Sequence, residues 1–562
     1  MLPLLWARHY DPGVPLSVGP ATSSIPWLLL QAAARTPRAP ALVFFGRTFS
    51  YRQLSELAAR LARAFKDQGL SPGERLAILL PNCPQFVVAY HAALRLGAVV
   101  VPLNPLLSAR ELAHQLNDSG TRRLVVLDHF LPKVEEARGK LDLTHLLVTS
   151  LPDALPWPLS WLYSFKARRQ GLARGFKPAP GRFGWRGLLA QPPLRDEPVP
   201  GVQDLAVLLY TGGTTGTPKA AMLSHGNLMA NVAQISAWLP QVRFGGERLV
   251  AVLPMAHSFG LTACLNWPMS QGAQIIVLPR FEIDGFMKML RKCRPTMLPG
   301  VPTIFVALIN DPRLPALDLS SLWACISGSA PLPLEVRDRF ESLSGCRIME
   351  GYGLTEAGPV THLNPVQGPR PAGSIGLPLP ATLARVVDRE SGQGSLPPGQ
   401  VGELAIRGPQ VMEGYWQNPG ETAAVLRDGW LYTGDLARWD EDGYFYLVER
   451  KKDLIISGGY NIYPREVEEA LYQFPGVQEA VAFGVPDSYR GEVVKVVIVP
   501  QAGVELSAPE LRDFCGQQLA LYKVPKFIEF RPELPKSQVG KILRRLLREE
   551  AVAGDQAALG ED

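Results

Sequence analysis

A segment rich in glycine and threonine, residues 210–219, has the composition of a phosphate-binding loop. It reads Tyr-Thr-Gly-Gly-Thr-Thr-Gly-Thr-Pro-Lys and ends in Lys219. Glycines let backbone N–H groups approach phosphate oxygens, threonine hydroxyls add donors, and the lysine ammonium adds positive charge. The loop is not a Walker A loop, because Thr217 and Pro218 separate Gly216 from the lysine. The segment therefore predicts phosphate binding, with a surface turn as the alternative.

Further segments contain residue types that suit a nucleotide or carboxylate site. They read Leu-Pro-Met-Ala-His-Ser-Phe-Gly at 253–260, Ser-Gly-Ser-Ala-Pro at 327–331, Gly-Tyr-Gly-Leu-Thr-Glu at 351–356, Trp-Leu-Tyr-Thr-Gly-Asp at 430–435 and Leu-Pro-Lys-Ser-Gln-Val-Gly-Lys-Ile at 534–542. A carboxylate such as Glu356 is a natural ligand of the Mg²⁺ that accompanies ATP. Each segment alone could be a turn, a solvated loop or, for His257, a core histidine. Their occurrence together is what indicates a site.

Together, and in this order, these segments resemble the motifs of the adenylate-forming (AMP-binding) superfamily, which includes acyl-CoA synthetases, luciferases and peptide-synthetase adenylation domains. The resemblance spans roughly residues 20–550. Within this superfamily, the sequence resembles bacterial long-chain fatty-acid–CoA ligases most in three places. These are Gly213 and the runs Gly443–Glu469 and Pro535–Arg545. Two residues depart from the pattern. Ala220 replaces the common glycine after the loop lysine and is expected to stiffen the loop slightly, whereas Glu449 in place of aspartate is conservative.

The resemblance implies catalytic roles, which fall to Lys541, Lys219, Thr355, Glu356 and His257. Lys541 is expected to bridge the substrate carboxylate and the α-phosphate as charge builds in the transition state. The magnesium ligands that it implies are Glu356 and Thr211. His257 is expected to line the carboxylate site in a positional rather than an acid–base role.

The resemblance also implies a set of nucleotide and CoA contacts. Asp435 and Arg450 are expected to reach the ribose, and Lys452 to lie at a hinge. Gly458 and Gly459 are expected to lie beside the pantetheine channel. The implied residues are Thr211, Gly212, Gly213, Thr214, Thr215, Gly216, Gly328, Ser329, Ala330, Glu350, Gly351, Tyr352, Gly353, Asp435, Arg450, Lys452, Gly458 and Gly459.

A two-step reaction follows from this resemblance. A carboxylate oxygen attacks the α-phosphorus of ATP with Mg²⁺ as cofactor, which gives acyl-AMP and pyrophosphate. The thiol of CoA, the co-substrate, then attacks the acyl carbon and AMP leaves. A medium- to long-chain fatty acid is the favoured substrate. The alternatives are an aryl-CoA ligase, an acyl-AMP ligase that loads a carrier protein and, least favoured, a non-catalytic nucleotide-binding protein.

Strands that alternate with helices position these segments. Apolar runs at Arg75–Leu80, Ala98–Leu103, Arg123–Leu127, Leu205–Tyr210, Leu249–Leu253 and Ala273–Leu278 predict strands, with helices such as Tyr51–Gln68 and Ser108–Asn117 between them. This pattern predicts an α/β fold of mainly parallel sheets flanked by helices. A large N-terminal domain is expected over 1–449, a hinge at 450–453, and a small mobile α+β domain over 454–562 that carries the catalytic lysine.

Within the small domain, a helix is predicted near Pro464–Gln473, strands near Val477–Val485 and Val493–Val499, and a last helix over Lys541–Glu550. Over the whole chain, 46% of residues are hydrophobic and 19% are charged, which is typical of a folded protein. The net charge of +5 is too small to indicate nucleic-acid binding. Six scattered cysteines without a CxxC pair favour a reducing compartment.

No signal peptide is recognised at the N-terminus, and no apolar run reaches the length of a membrane span. We therefore expect a cytoplasmic protein, monomeric or homodimeric, whose partners are small molecules. Residues 154–195 are unusual, because they contain eight Lys and Arg, seven aromatic residues and no Asp or Glu. This composition fits either an insertion whose cations face water or a peripheral contact with a membrane surface.

Overall fold

The computed structural model describes residues 5–169, 179–195, 199–211, 218–450, 453–457, 460–487, 490–537 and 542–558. Two mainly parallel sheets make up most of the chain before residue 383. The first sheet runs in the spatial order Leu377–Pro378, Val360–Leu363, Ile348–Gly353, Ala324–Ser327, Met297–Gly300, Arg248–Ala251, Gln274–Val277, Pro40–Phe44, Arg47–Ser50. The second runs Gly414–Tyr415, Lys219–Ser224, Leu205–Thr211, Val99–Pro102, Arg75–Leu79, Arg123–Leu127, His145–Thr149, Arg182–Gly184.

Antiparallel pairs occur at the ends of both parallel sheets. Leu205–Thr211 and Lys219–Ser224 form a hairpin in the second sheet, and Val360–Leu363 returns along Ile348–Gly353 in the first. A third, antiparallel sheet contains Leu383–Val387, Gly402–Arg407, Leu426–Arg427, Trp430–Trp439 and Phe445–Arg450. The C-terminal sheet contains Ile455–Ser457, Tyr460–Ile462, Val477–Asp487, Gly491–Pro500 and Phe527–Phe530.

Helices cover the sheets and separate them. In chain order they are Pro26–Arg35, Tyr51–Asp67, Pro84–Arg95, Ala109–Asp118, Leu131–Ala137, Leu159–Arg169, Trp185–Leu189, His225–Trp238, Ser258–Leu261, Trp267–Ser270, Ile283–Cys293, Pro302–Ile309, Leu334–Ser344, Pro419–Val425, Pro464–Tyr472, Ala508–Gln518 and Arg544–Ala558. Pro84–Arg95 is buried on every face, as its nearly all-apolar sequence requires. Side chains from both parallel sheets and from this helix belong to one contiguous hydrophobic core.

The predicted fold class is confirmed, because parallel pairs dominate the two large sheets and helices flank them. Elements near the site begin where their sequence caps them. The side chain of Ser224 accepts a hydrogen bond from the Asn227 N–H, and the side chain of Asn227 accepts one from the Ser224 N–H, so His225–Trp238 begins directly after the loop hairpin. The boundaries at 449 and 454 stay predictions.

Several predicted elements differ from the observed ones by one to three residues at an end, and two of these differences have a visible cause. The strand predicted at Leu249–Leu253 spans Arg248–Ala251, because the Asn82 side chain takes over the next backbone groups: its amide donates to the carbonyls of Ala251 and Leu253. The last helix begins at Arg544 rather than Lys541. Its start is displaced because Ile542 pairs with Lys536 and the Leu543 N–H donates to the carbonyl of Pro535.

Within the described ranges, every helix falls short of the length and apolar character that a membrane-spanning helix requires.

Candidate active site

The glycine- and threonine-rich loop connects two paired strands at one edge of the second sheet. Thr211 and Lys219 face each other across the hairpin, and the Thr211 hydroxyl donates to the Lys219 carbonyl over 3.4 Å. The backbone therefore fixes both ends of the predicted phosphate loop close together. The residues Gly212, Gly213, Thr214, Thr215 and Gly216 lie outside the described residues.

The Lys219 ammonium forms an ion pair with Glu421 and lies 5.5 Å from the centre of the Tyr415 ring. Its side chain is only 19% exposed, whereas the carboxylate partner is 46% exposed. An exposed partner contributes little binding energy and is readily exchanged. Lys219 is thus a positioned cation whose present anion can give way to another.

Glu356 contacts the same tyrosine through the phenol hydroxyl. The Tyr415 hydroxyl donates to Glu356 Oε1 over 2.8 Å, and the N–H of Met412 donates to the Glu356 carbonyl over 2.8 Å. Burial, followed by the neighbouring carboxylates of Glu356 and Glu421, raises the pKa of Tyr415 well above its usual value, so the hydroxyl keeps its proton and remains a donor. The structure therefore brings the predicted phosphate lysine and the predicted metal ligand together around one ring.

Sequence reasoning missed Tyr415 and Glu421. Tyr415 belongs to a two-residue strand, Gly414–Tyr415, that pairs with the strand of Lys219. Glu421 opens the short helix Pro419–Val425. The only local signal was Asn418-Pro419-Gly420-Glu421, a helix-start pattern in which the Asn418 side chain accepts from the Glu421 N–H. That pattern says nothing about a lysine 202 residues earlier.

Thr355 joins the histidine-bearing segment to the site. Its hydroxyl shares a hydrogen bond of 3.1 Å with the hydroxyl of Ser258. His257 caps the helix Ser258–Leu261, with its Nδ1 accepting from the Phe259 N–H over 3.3 Å. Asn82 holds the preceding turn, because its Oδ1 accepts from the Met255 N–H over 2.7 Å. The imidazole therefore makes a capping contact, and its position at the carboxylate site stays a prediction.

Little space is left around three of the predicted nucleotide-binding glycines, Gly328, Gly351 and Gly353. A Cβ atom on Gly328 would lie 3.1 Å from the Phe259 ring, and one on Gly351 would lie 2.8 Å from Leu363. A Cβ atom on Gly353 would collide with the carbonyl of Pro359. Ser329 adopts a positive φ of 69° at the end of the strand Ala324–Ser327, and Ala330 follows it. Glycine is therefore required at 353 by the antiparallel return of the chain.

Tyr352 and Asp435 are joined directly. The Tyr352 hydroxyl donates to Asp435 Oδ2 over 2.6 Å, which links the first sheet to the third. Arg450 is the cross-strand partner of Asp435, so the backbone places the predicted ribose contacts opposite each other. Glu350 precedes Tyr352 in the same strand, Ile348–Gly353. Its Oε2 accepts from the Leu332 N–H, and burial raises its pKa to about 7.

The remaining predicted residues belong to the C-terminal part of the chain. Lys452, Gly458, Gly459 and Lys541 lie outside the described residues. The described residues around them include a guanidinium, Arg544, that contacts Glu449 over 3.1 Å and Glu468 over 2.7 Å. The segment that precedes residue 541 is held by an ion pair between Lys536 and Glu479.

The geometry and the motifs agree with comparisons to known proteins. The family model described as AMP-binding enzyme matches residues 29–416, and the model described as AMP-binding enzyme C-terminal domain matches residues 466–541. The chain belongs to the AMP-binding enzyme family. This confirms the resemblance drawn from the sequence.

Relatives of this family match the chain over nearly its whole length. A long-chain-fatty-acid–CoA ligase of Bacillus subtilis (strain 168) is 43% identical, over 97% of this chain and 98% of the relative. A crystal structure of the anthranilate CoA ligase AuaEII in complex with anthranoyl-AMP is similar with a TM-score of 0.83 and 28% identity, over 96% of this chain and 99% of that one. A crystal structure of ATP-bound MatB from Rhodopseudomonas palustris is similar with a TM-score of 0.80 and 31% identity, over 94% of this chain and 99% of that one.

The oxygen donors around Glu356 fit a magnesium ion that arrives with phosphates. Mg²⁺ usually keeps several waters and takes one or two carboxylates together with substrate phosphate oxygens. Glu356 supplies one carboxylate, and Tyr415 orients it through Oε1. When bound, the ion would neutralise phosphate charge, and Glu356 would hold it, with Thr211 as the second ligand that the resemblance implies.

We predict that Tyr415→Phe weakens the use of magnesium. The substitution removes the hydrogen bond that orients Glu356 but keeps the ring beside Lys219. Loss of such a supporting contact typically costs about 10–100-fold in metal affinity, so the magnesium concentration for half-maximal ATP–pyrophosphate exchange should rise by roughly that factor.

Tyr432→Phe is the matched control, because the Tyr432 hydroxyl donates to the Gly392 carbonyl in the third sheet. Titration of MgCl₂ at fixed ATP measures the effect. An unchanged magnesium dependence in Tyr415→Phe would contradict a supporting role for this tyrosine.

Proposed function

We propose that this protein is an ATP-dependent acyl-CoA ligase that activates a medium- to long-chain fatty acid. The observation that carries the proposal is the assembly of Lys219, Tyr415 and Glu356 from separate parts of the chain beside the phosphate loop. Similarity to the Bacillus subtilis ligase, which extends over 97% of this chain, supports both the activity and the substrate class.

In the first step, the acid carboxylate attacks the α-phosphorus of ATP, the new bond joins the carboxylate oxygen to phosphorus, and pyrophosphate leaves. Lys219 exchanges Glu421 for a phosphate oxygen, since the Glu421 carboxylate is half-exposed and its pairing is weak. Thr211 and Thr355 offer hydroxyl groups at the two sides of the site, and Lys541 neutralises the α-phosphate region as charge develops.

In the second step, the CoA thiolate sulfur attacks the acyl carbon, and AMP leaves with the oxygen that came from the acid. Asp435 accepts hydrogen bonds from the ribose hydroxyls, with Tyr352 and Arg450 beside it. The segment after residue 453 turns about a hinge at 450–453, so that Lys541 leaves and Gly458 and Gly459 approach the pantetheine channel. Lys452 lies within this hinge.

The acyl group separates the proposal from its alternatives. The similarity to an anthranilate CoA ligase keeps an aromatic substrate as the second candidate. We predict that ATP–pyrophosphate exchange is strongest with straight-chain acids in a series from butanoate to hexadecanoate, and weak with benzoate and anthranilate. Strong exchange with aromatic acids alone would overturn the fatty-acid assignment, and no exchange with any acid would overturn the activity.

The acyl acceptor is tested separately, by measuring AMP release with and without CoA. AMP release that does not depend on CoA would favour an acyl carrier protein as acceptor.

The role proposed for Lys541 predicts different effects on the two half-reactions. Lys541→Ala should lower the rate of acyl-AMP formation by about 10²-fold or more, because a charge that stabilises the transition state is removed. Formation of acyl-CoA from supplied acyl-AMP should stay near the wild-type rate.

Lys536→Ala is the matched control, since this lysine precedes Lys541 and pairs with Glu479. Rapid-quench measurement of each half-reaction gives the comparison. Equal losses in both half-reactions would contradict the assignment of Lys541 to adenylation.

We also propose that the protein, as a monomer or homodimer, contacts a membrane surface through the segment before and within the helix Leu159–Arg169. Large apolar side chains are exposed there, with Trp157 at 84% and Trp161 at 61%. Trp161 stacks on Phe165, and the guanidinium of Arg169 lies 5.4 Å from that ring. Aromatic rings and cations on one surface match the interface of an anionic bilayer.

A vesicle assay tests this contact. The double variant Trp157→Ser/Trp161→Ser should lose sedimentation with vesicles of phosphatidylcholine and 30% phosphatidylglycerol, whereas Leu106→Ser, which removes another side chain that is 72% exposed, should bind like wild type. Binding of wild type should weaken at high salt. Equal sedimentation of wild type and the double variant would contradict the proposal.

A further inference from the structure

A cleft of about 260 Å³ lies between the edge strand of the first sheet, Arg47–Ser50, and the short helix Trp185–Leu189, apart from the residues assigned to the active site. Its walls come from the strand Arg47–Ser50, the helices Tyr51–Asp67 and Pro84–Arg95, and the short helix Trp185–Leu189. The apolar part of its lining consists of Phe49, Leu57, Pro84, Val88, Ala154, Trp185, Leu189 and Ala190. The volume is slightly below the roughly 300–1,000 Å³ of ordinary ligand pockets, so it suits one slender apolar chain.

Two guanidinium groups, those of Arg47 and Arg186, belong to the polar part of this lining. Arg186 pairs with Asp153 over 2.8 Å, and its side chain is 77% exposed. Arg47 donates a long hydrogen bond of 3.4 Å to the Asp153 carbonyl and lies 4.5 Å from the Phe49 ring, and burial lowers its pKa. Among the described residues Arg47 has no carboxylate partner, so the cleft carries one more positive charge than negative.

One wall of the cleft is held by a buried amide. Gln85 is 1% exposed, and its amide nitrogen donates to the Ser150 carbonyl over 2.9 Å and to the Thr149 hydroxyl over 3.3 Å. Its Oε1 is closed off from solvent, so this oxygen does not open into the cleft. The two hydrogen bonds tie the helix Pro84–Arg95 to the segment that leads to Asp153 and so fix this wall.

Two features describe the class of ligand. The apolar walls suit a hydrocarbon chain, and Arg47, which has no carboxylate partner among the described residues, suits an anionic headgroup. An ionised carboxylic acid supplies both. We propose that the cleft is a second, non-catalytic binding site for a single-chain carboxylic acid, with its carboxylate at Arg47.

The position of the cleft explains how such a ligand would reach it. Ala154 lines the cleft, and Trp157, three residues later, is the most exposed aromatic residue of the proposed membrane surface. The helix Leu159–Arg169 packs against the turn Leu151–Asp153, whose aspartate holds Arg186 at the cleft. A carboxylic acid that leaves a bilayer at this surface would therefore meet the cleft first, before it reaches the active site.

Binding stoichiometry tests the proposal, with monomeric decanoate as the probe. Wild type should bind one more equivalent of decanoate per chain than Ala190→Trp does. Residue 190 is exposed, so the tryptophan side chain can fill the cleft from its rim. Arg47→Gln should weaken decanoate binding at the cleft by roughly tenfold to a hundredfold, the effect of losing a charged hydrogen bond, and should leave decanol binding unchanged. Arg122→Gln is the control, because that arginine forms an exposed pair with Asp142.

The location of the ligand is measured by photo-crosslinking with a diazirine-bearing decanoic acid. Labelled peptides should include residues 47–57 or 185–190 in wild type and lose them in Ala190→Trp, while the rate of acyl-AMP formation at saturating acid stays unchanged. Equal stoichiometry in wild type and Ala190→Trp, or labels confined to the segment around 257–263, would overturn the second site. Binding to anionic vesicles without binding to monomeric decanoate would also overturn it.

The two proposals fail in different ways. If the active site does not take fatty acids but the cleft does, wild type binds one equivalent and Ala190→Trp binds none. If only the active site takes them, both proteins bind one equivalent.

Discussion

The hydrogen bond between Tyr415 and Glu356 is the contact on which the geometry of the site depends. Tyr415 belongs to a strand that pairs with the strand of Lys219 in the second sheet, whereas Glu356 follows the strand Ile348–Gly353 of the first sheet. A hydrogen bond to a charged group contributes about 1.5–3 kcal/mol, and here it also fixes the spacing between the predicted phosphate lysine, Lys219, and the predicted metal carboxylate, Glu356. The contacts of Ser258 with Thr355 and of Tyr352 with Asp435 extend the same junction to the histidine segment and to the third sheet.

Much of this arrangement could be predicted from sequence, because it is encoded locally. Buried apolar runs gave the strand positions, and the glycine at 353 follows from a return of the chain that leaves no room for a Cβ atom. The contacts that assemble the site were not readable, since the partner of Lys219 lies 202 residues away in a short helix with an ordinary capping pattern. The strand that ends at Ala251 differs from prediction because a distant side chain, that of Asn82, takes up the next backbone carbonyls. The last helix begins at Arg544 because a local antiparallel bridge between Lys536 and Ile542 competes with its predicted first turn.

The ion pair of Lys219 and the ion pairs of Arg544 differ in how far solvent screens them. The pair of Lys219 and Glu421 is half-exposed on its acidic side, so solvent screens it and an incoming phosphate can replace the carboxylate at little cost. Arg544, in contrast, contacts Glu449, Glu468 and Asp453 in a sheltered cluster, where Glu449 is 6% exposed. Although burial alone would lower it, these carboxylates raise the pKa of Arg544, so the guanidinium keeps its charge.

The composition of that cluster bears on how the C-terminal segment could turn. Breaking a buried ion pair costs about 3–5 kcal/mol when one partner is left alone in the interior. With the pivot proposed at 450–453, Glu468 stays with Arg544 and Asp453 lies at the pivot itself, so the guanidinium remains neutralised throughout. The contacts that a rotation must break are those across the joint: Arg544 and the Arg465 N–H with Glu449, and the Arg465 guanidinium with the Leu447 carbonyl. Because Glu449 is the only carboxylate of the cluster on the far side of the pivot, a rotation that brings it into water would leave neither partner buried without a counter-charge.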